Sequence, residues 1–381
     1  SDGTNTTTVQ VALNETNVND GAPVFTGQNA GSGTSYSFNY AENSATSTTL
    51  GTVAASDADG GTLTFSITGG NTNGWYAIDS TTGAITLTAA GAASLANDFE
   101  QTPNTQTLTV SVSDGTNTTT VQVALNETNV NDGAPVFTGQ NAGSGTSYSF
   151  NYAENSASGA TLSTVTASDP DGNTLTFSIT GGNASNWYAI DGTTGAITLT
   201  AAGAASLAND YEQTPNTQTL TVSVSDGTAS TTVQVALNET NVNDTAPVFT
   251  NQNAGGGTSY SFNYAENSTT AVTLGQVSAT DADGSALTFS ITGGDPNGWF
   301  AIDATGRITL TTLGAASVAN DYEQSPNSQT LTITVSDGIA SATVMSANGT
   351  LTSRHQRHEA YSVRMPPTIK PMAAPPAERP P

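Results

Sequence analysis

The chain copies itself. Residues 1–45 are identical to residues 113–157, and "NVNDGAPVF" at 17–25 returns unchanged at 129–137 and as "NVNDTAPVF" at 241–249. A unit of 112 residues can bury a core of its own, unlike solenoid repeats of roughly 20–50 residues, which need their neighbours. The chain must therefore be a string of similar domains. We read residues 1–19 as the last strand of a truncated preceding repeat. Repeats follow at 20–131, 132–243 and 244–345, the third with a divergent last strand, and 346–381 is a Pro-rich basic tail expected to be disordered. Ser1 falls inside a copy, so the sequence reads as a segment of a longer protein.

Within the middle copy, apolar and polar residues alternate with the period of two of half-buried strands. The runs are Tyr148, Phe150 and Tyr152; Leu175, Phe177 and Ile179; Ile197 and Leu199; Leu220, Val222 and Val224; and Val233, Val235 and Leu237. Thr and Ser fill the intervening positions, and Gly-rich stretches such as "SDPDGN" and "VSDGT" separate the runs as turns. The one helix-like stretch, "AAGAASLAND", has room for a single turn. About seven short strands per copy predict an all-β protein of tandem, immunoglobulin-like Greek-key β-sandwiches with antiparallel pairing. Trp75, Trp187 and Trp299, each in a "W-[YF]-A-I-D" context, are expected in the core rather than on a sugar-binding platform.

Charge is distributed unevenly. There are 31 acids and six bases, and Arg307 is the only base before residue 354. Such a surface repels phosphate backbones, which argues against a nucleic-acid partner. With no cysteine, thiol-metal sites and disulfides are excluded, and no apolar run approaches the ~20 residues of a membrane span.

The acids recur in order. "YAENS" supplies Glu42, Glu154 and Glu266; "DADG" or "DPDG" supplies Asp57 with Asp59, Asp169 with Asp171, and Asp281 with Asp283. "NDFE" or "NDYE" supplies Asp98 with Glu100, Asp210 with Glu212, and Asp321 with Glu323. The connector adds Asn19 and Asp20, then Asn129, Asn131 and Asp132, then Asn241, Asn243 and Asp244. Taken alone, each Asp-Gly reads as a turn. Taken together, carboxylates without a lysine anywhere in the repeats call for another cation, since two charges ~4 Å apart repel by about 4 kcal/mol at an effective dielectric near 20. Hard oxygen donors suit Ca²⁺, and the absence of Cys and His from the repeats argues against zinc or copper.

These motifs, in this order, resemble the cadherin repeat: "AENS", "DADG/DPDG", "NDYE" and "NVNDGAP" stand where that family has its Glu, D-x-D, L-D-x-E and D-x-N-D-N-x-P motifs. "WYAID..TGAITLT" is similar to a further family stretch, and the resemblance spans residues 1 to about 344. It implies calcium between consecutive domains. At the first complete junction the implied ligands are Glu42, Asp98 and Glu100, the linker residues Asn129, Asn131 and Asp132, and Asp169, Asp171 and Asp210 from the following module. At the second they are Glu154, Asp210, Glu212, Asn241, Asn243, Asp244, Asp281, Asp283 and Asp321, and the opening linker brings Asn19 and Asp20 to Asp57 and Asp59. The family's first linker Asp is Asn here (Asn129, Asn241), which removes a charge.

The expected function is a calcium-rigidified extracellular stalk, spacer or adhesive segment of a cell-surface adhesin of bacterial type. Its partners would be calcium and a like surface protein, another surface protein or a glycan. The alternative is a carbohydrate-binding or spacer module of a secreted hydrolase. An enzyme is not expected, because the repeats hold no histidine for a Ser–His triad and no phosphate-binding loop. The pattern stops near Val344: the step from Glu100 to Asp132 and from Glu212 to Asp244, taken from Glu323, lands on His355.

Overall fold

A computed structural model describes residues 3–324, 327–346 and 350–352. The expected tail therefore lies almost wholly outside the described residues. The chain divides into two compact units, Ser1–Thr240 and Asn241–Pro381, and each is described by itself.

The first unit contains two closely matching β-sandwiches. In the first, β1 (Val24–Thr26) pairs with β4 (Ala54–Ser56), and β3 (Thr49–Thr52), β7 (Ala84–Leu87) and β6 (Tyr76–Ile78) form one sheet. The other sheet has the order β2 (Tyr36–Ala41), β9 (Thr118–Thr128), β8 (Thr105–Ser113), β5 (Thr64–Gly69). The same arrangement recurs over Val136–Thr240. "AAGAASLAND" forms a one-turn helix, Ala89–Ala92, capped by the Thr88 hydroxyl, which accepts the Gly91 N–H, followed by a 3₁₀ turn at Leu95–Asn97.

One pairing departs from the expected antiparallel sandwich. β2 runs parallel to β9, Tyr36 opposite Val123 through Ala41 opposite Thr128. Alternation sets which face of a strand is buried and leaves open which neighbour it takes or in which direction.

The alternation itself holds. Val121, Val123 and Leu125 of β9 face Leu108, Val110 and Val112 of β8, all buried, and the equivalents Val233, Val235, Leu237, Leu220, Val222 and Val224 are buried in the second sandwich. Tyr148, Tyr152 and Phe177 are buried, whereas Phe150, Leu175 and Ile179 are partly so. Trp75 and Trp187 are half-buried against their cores rather than enclosed. The Tyr36 hydroxyl donates to the Thr26 carbonyl and accepts from the Ala54 N–H at 3.1 Å, tying β1 and β4 to β2. Gly83 of "TTGAI" has φ +72°, and a Cβ there would meet the Val53 carbonyl oxygen at 2.3 Å, so only glycine lets this turn close on the neighbouring strand.

In the second unit the sheets are reduced. Thr288–Gly293, Leu331–Ser336 and Ser341–Ser346 form a three-stranded sheet, and among the described residues Asn263–Ala265 pairs in parallel with Thr350–Thr352. The sequence supplies the reason. Ser346 and Asn348 stand where the second repeat has the core residues Val235 and Leu237, so the last strand loses the apolar face that would hold it.

Truncating the fully buried Leu125 to Ala is expected to cost about 2–5 kcal/mol by equilibrium denaturation. The same change at the exposed Leu95 is expected to stay within about 0.5 kcal/mol.

Candidate metal centre

The linker between the first two sandwiches is fixed by carboxylates that accept from backbone amides. Glu42, 3% exposed, takes the Val130 N–H on Oε1 at 2.6 Å and the Phe99 N–H on Oε2 at 2.7 Å. It thereby joins its own sandwich's "NDFE" loop to the outgoing linker. From the other side, Asp171 Oδ2 accepts the Asp132 N–H at 3.1 Å and the Gly133 N–H at 2.8 Å. The Asn129 amide donates to the Asp171 carbonyl at 2.8 Å, and Asn43, next to Glu42, donates to Asp132 Oδ2 at 2.6 Å.

These contacts bring Glu42, Glu100, Asp132 and Asp171 together, with one oxygen of each within 4.8 Å of the others. Asp98 closes the 3₁₀ turn beside Glu100. Several oxygens around the linker are buried without a hydrogen-bond partner: Glu100 Oε1, Asn131 Oδ1, Asp169 Oδ2, Asp171 Oδ1 and Asp226 Oδ2. Buried polar atoms are normally satisfied, and an unpaired acceptor costs about 1–3 kcal/mol. A set of orphaned oxygens with no nitrogen or sulfur ligand fits a hard divalent cation.

Two expected ligands sit elsewhere. Asp210 lies beside Glu154, Glu212 and Glu239, at the outgoing end of the second sandwich, and so does not meet the first linker. Asp321 groups within 4.8 Å of Glu266 and Glu323 in the third repeat. Both belong with the Glu that precedes them, because each "ND[FY]E" loop folds onto the Glu of its own repeat.

The incoming side is completed by a residue that sequence reading treats as a turn. Asp226 of "VSDGT" does make that turn, its Oδ1 accepting the Thr228 and Ala229 N–H groups at 2.6 Å each, but it is 9% exposed and leaves Oδ2 unpartnered. Asn131 donates to the Asp226 carbonyl at 3.4 Å and to the Thr228 hydroxyl at 3.0 Å. The signal was present in the sequence as an acid at the same place in every copy, Asp114, Asp226 and Asp337.

The opening linker repeats this geometry on the first sandwich. Asp59 Oδ2 accepts from the Asp20 and Gly21 N–H groups, Asn17 donates to the Asp59 carbonyl, Asn19 to that of Asp114, and Asp57 Oδ2 and Asn19 Oδ1 are unpartnered. In the second unit Asp283 Oδ2 accepts from Asp244 and Thr245, Asn241 donates to the Asp283 carbonyl and Asn243 to that of Asp337. Asp281 Oδ2, Asp283 Oδ1, Asn243 Oδ1 and Asp337 Oδ2 are left unpartnered there.

The comparisons with known proteins agree with this construction. Tandem β-sandwiches that gather acids around their linkers define a class of modular repeat protein. The cadherin-domain family model matches residues 36–130, 148–239 and 260–353, and the chain belongs to the cadherin family. It is 30% identical over 336 residues to human Cadherin EGF LAG seven-pass G-type receptor 2, covering 82% of this chain and 10% of that protein. It is 30% identical over 362 residues to mouse Protocadherin Fat 4, covering 90% and 6%. The chain thus spans a tenth or less of the length of these relatives. Among solved structures, the protocadherin gammaB7 EC3-6 cis-dimer superposes with a TM-score of 0.62 at 22% identity, over 86% of this chain and 77% of that one. Mouse Cadherin-23 EC22-24 superposes with a TM-score of 0.54 at 24% identity, over 88% and 100%. The chain's domains are of the type found in extracellular, cell-surface proteins. These matches lend no support to a bacterial adhesin, which the sequence reading had expected.

Three glutamates at the outgoing ends of the sandwiches, Glu100, Glu127 and Glu239, bind their protons more tightly than a free carboxyl. Burial, and then the neighbouring Asp171 carboxyl, push Glu100 up to about 7. Burial, then Glu42, Asp98 and Glu100, do the same to Glu127, and Glu239 follows for the equivalent reasons. A carboxyl that binds its proton more tightly folded than unfolded favours the fold at low pH, and that contribution fades as pH climbs to the folded value. In chelator, the melting temperature is therefore expected to fall between about pH 4.5, the ordinary Glu value, and about pH 7. Saturating calcium is expected to flatten or reverse that slope, as thermal melts across the range would read.

Proposed function

We propose that this chain is a calcium-bound, calcium-rigidified segment of a cell-surface adhesion protein, acting as a stalk or as adhesive modules. The observation that carries this is the convergence of Glu42, Glu100, Asp132 and Asp171, from two sandwiches and their linker, with one oxygen of each within 4.8 Å of the others. No side chain of the repeats before Arg307 is basic, so the chain brings no cation of its own to this place. Ca²⁺ would be held by Glu42, Asp98 and Glu100 on one side, Asn131 and Asp132 of the linker, and Asp169, Asp171 and Asp226 on the other. The same residue types recur in sequence at Glu154, Asp210, Glu212, Asn243, Asp244, Asp281, Asp283 and Asp337. Calcium would replace electrostatic repulsion with shared ligation and fix one sandwich against the next.

The near-identity of the copies favours a spacer built by repetition, and an adhesive partner would be a like surface protein, another surface protein or a glycan. An enzymatic role has no support in the relatives, and the half-buried state of Trp75 and Trp187 weighs against an exposed aromatic strip for sugars.

Sites in extracellular modules of this kind bind with Kd of ~10⁻⁴ to 10⁻³ M, and a ligand at 100 times its Kd stabilises by about 2.7 kcal/mol. Millimolar Ca²⁺ is expected to raise the melting temperature by several degrees and to narrow the scattering-derived distance distribution. Asp132→Ala, Asp171→Ala or Asp226→Ala is expected to diminish both responses. A wild-type chain whose shape and melting ignore 10 mM calcium would sink the reading.

A further inference from the structure

The run of alternating core residues on β9 does not end in an apolar side chain. Val121, Val123 and Leu125 are followed, in the same phase, by Glu127, which pairs in register with the buried Tyr40 of β2. Glu127 is 5% exposed, and neither carboxylate oxygen has a hydrogen-bond partner. Glu239 in the second sandwich repeats every element of this: the strand position, the 5% exposure and the two unpartnered oxygens.

No basic side chain surrounds it. The ionisable groups near Glu127 are the acids Glu42, Asp98 and Glu100 and the hydroxyls of Tyr40 and Tyr76, which pair with each other; in the second sandwich the Tyr152 and Tyr188 hydroxyls lie 3.3 Å apart in the same way. Asn104, whose carbonyl accepts the Glu127 N–H at 2.9 Å, spends its amide on the Phe99 carbonyl at 2.7 Å and leaves Oδ1 buried and unpartnered. Glu100 Oε1 is in the same condition. The second sandwich matches, with Asn216 donating to the Tyr211 carbonyl at 2.7 Å and leaving its Oδ1 unpartnered. An isolated buried carboxylate costs several kcal/mol, and the chain offers no basic side chain to offset it. Glu127 is also outside the group of oxygens that meet at the linker.

We propose that Glu127 and Glu239 each anchor an additional hard-cation site, Ca²⁺ being the ion of this chemistry, set inside the outgoing end of their sandwich behind the linker cluster. Glu100 and Asn104 supply the unpartnered oxygens in the first sandwich. The proposal rests on the calcium reading above and accounts for a charge balance. Each junction lacks an acid at Asn129 or Asn241 and carries one two residues earlier, at Glu127 or Glu239. The third repeat has Thr350 in place of this Glu and His355 in place of the linker Asp.

The test compares the full chain with Glu127→Val/Glu239→Val, which continues the apolar alternation, and with Glu127→Gln/Glu239→Gln, which keeps shape and removes charge should the Val variant not fold. Calcium bound per chain is measured by equilibrium dialysis, and melting is followed in chelator and in calcium. The variants are expected to bind two fewer ions than wild type, to melt no lower in chelator, and to gain less from calcium. Unchanged stoichiometry and affinity, with melting shifted equally in chelator and calcium, would mean that the buried Glu is a neutral acid and overturn the proposal while leaving the linker sites standing. A wild-type chain that binds no calcium overturns both.

Discussion

Like-charge repulsion at the linker is the constraint around which the first two sandwiches are organised. At the separations of Glu42, Glu100, Asp132 and Asp171, each ionised pair opposes the others by about 3–4 kcal/mol at an effective dielectric near 20. The backbone holds them there nonetheless. Glu42 is fixed by the amides of Val130 and Phe99, and Asp171 by those of Asp132 and Gly133. These bonds use Oδ2 of Asp171 twice and each Glu42 oxygen once, and leave Asp171 Oδ1 buried and unpartnered. Rigid sheets behind the loops keep the carboxylates from separating, which is why the sandwich and the cluster have to be explained together.

The fold could be read from period-two alternation because a half-buried strand has few other ways to satisfy both faces. The four acidic motifs could be read as a site because their order recurs without a compensating base. What escaped the sequence is directional. Motif order does not say to which end of a sandwich a loop returns, so the sequence reading places Asp210 at the linker before it as well as with Glu154 of its own repeat, and places Asp321 at the linker before it, whereas each lies with the Glu of its own repeat. The parallel pairing of β2 with β9 is hidden for the same reason. Asp226 was masked by a true partial reading, since one of its oxygens does form the turn that "SDG" announces. Glu127 stood in plain view, in phase with Val121, Val123 and Leu125, and a charged residue in a core register is the clue that alternation offers.

The third repeat is an internal comparison. It keeps the incoming motifs, with Asp283 accepting its linker amides, and the acid group of Glu266, Asp321 and Glu323. It loses the apolar face of its last strand together with the buried Glu and the linker acid that follow it in the other copies. In this family architecture one strand carries both tasks: β9 packs the core with its first half and delivers the linker with its second. A change that rewrites that strand removes core and ligands at once.

The parallel register of β2 and β9 has a mechanical meaning. The chain enters each sandwich at the short β1, held by β4, and leaves it from the end of β9. Once β1 yields, tension along the polypeptide pulls the co-directional β2 and β9 past each other. Six paired residues, Tyr36–Ala41 against Val123–Thr128, resist that sliding together rather than opening one at a time like a zipper. Among the described residues of the third repeat this parallel pairing is shorter, Asn263–Ala265 against Thr350–Thr352, so fewer paired residues resist such sliding.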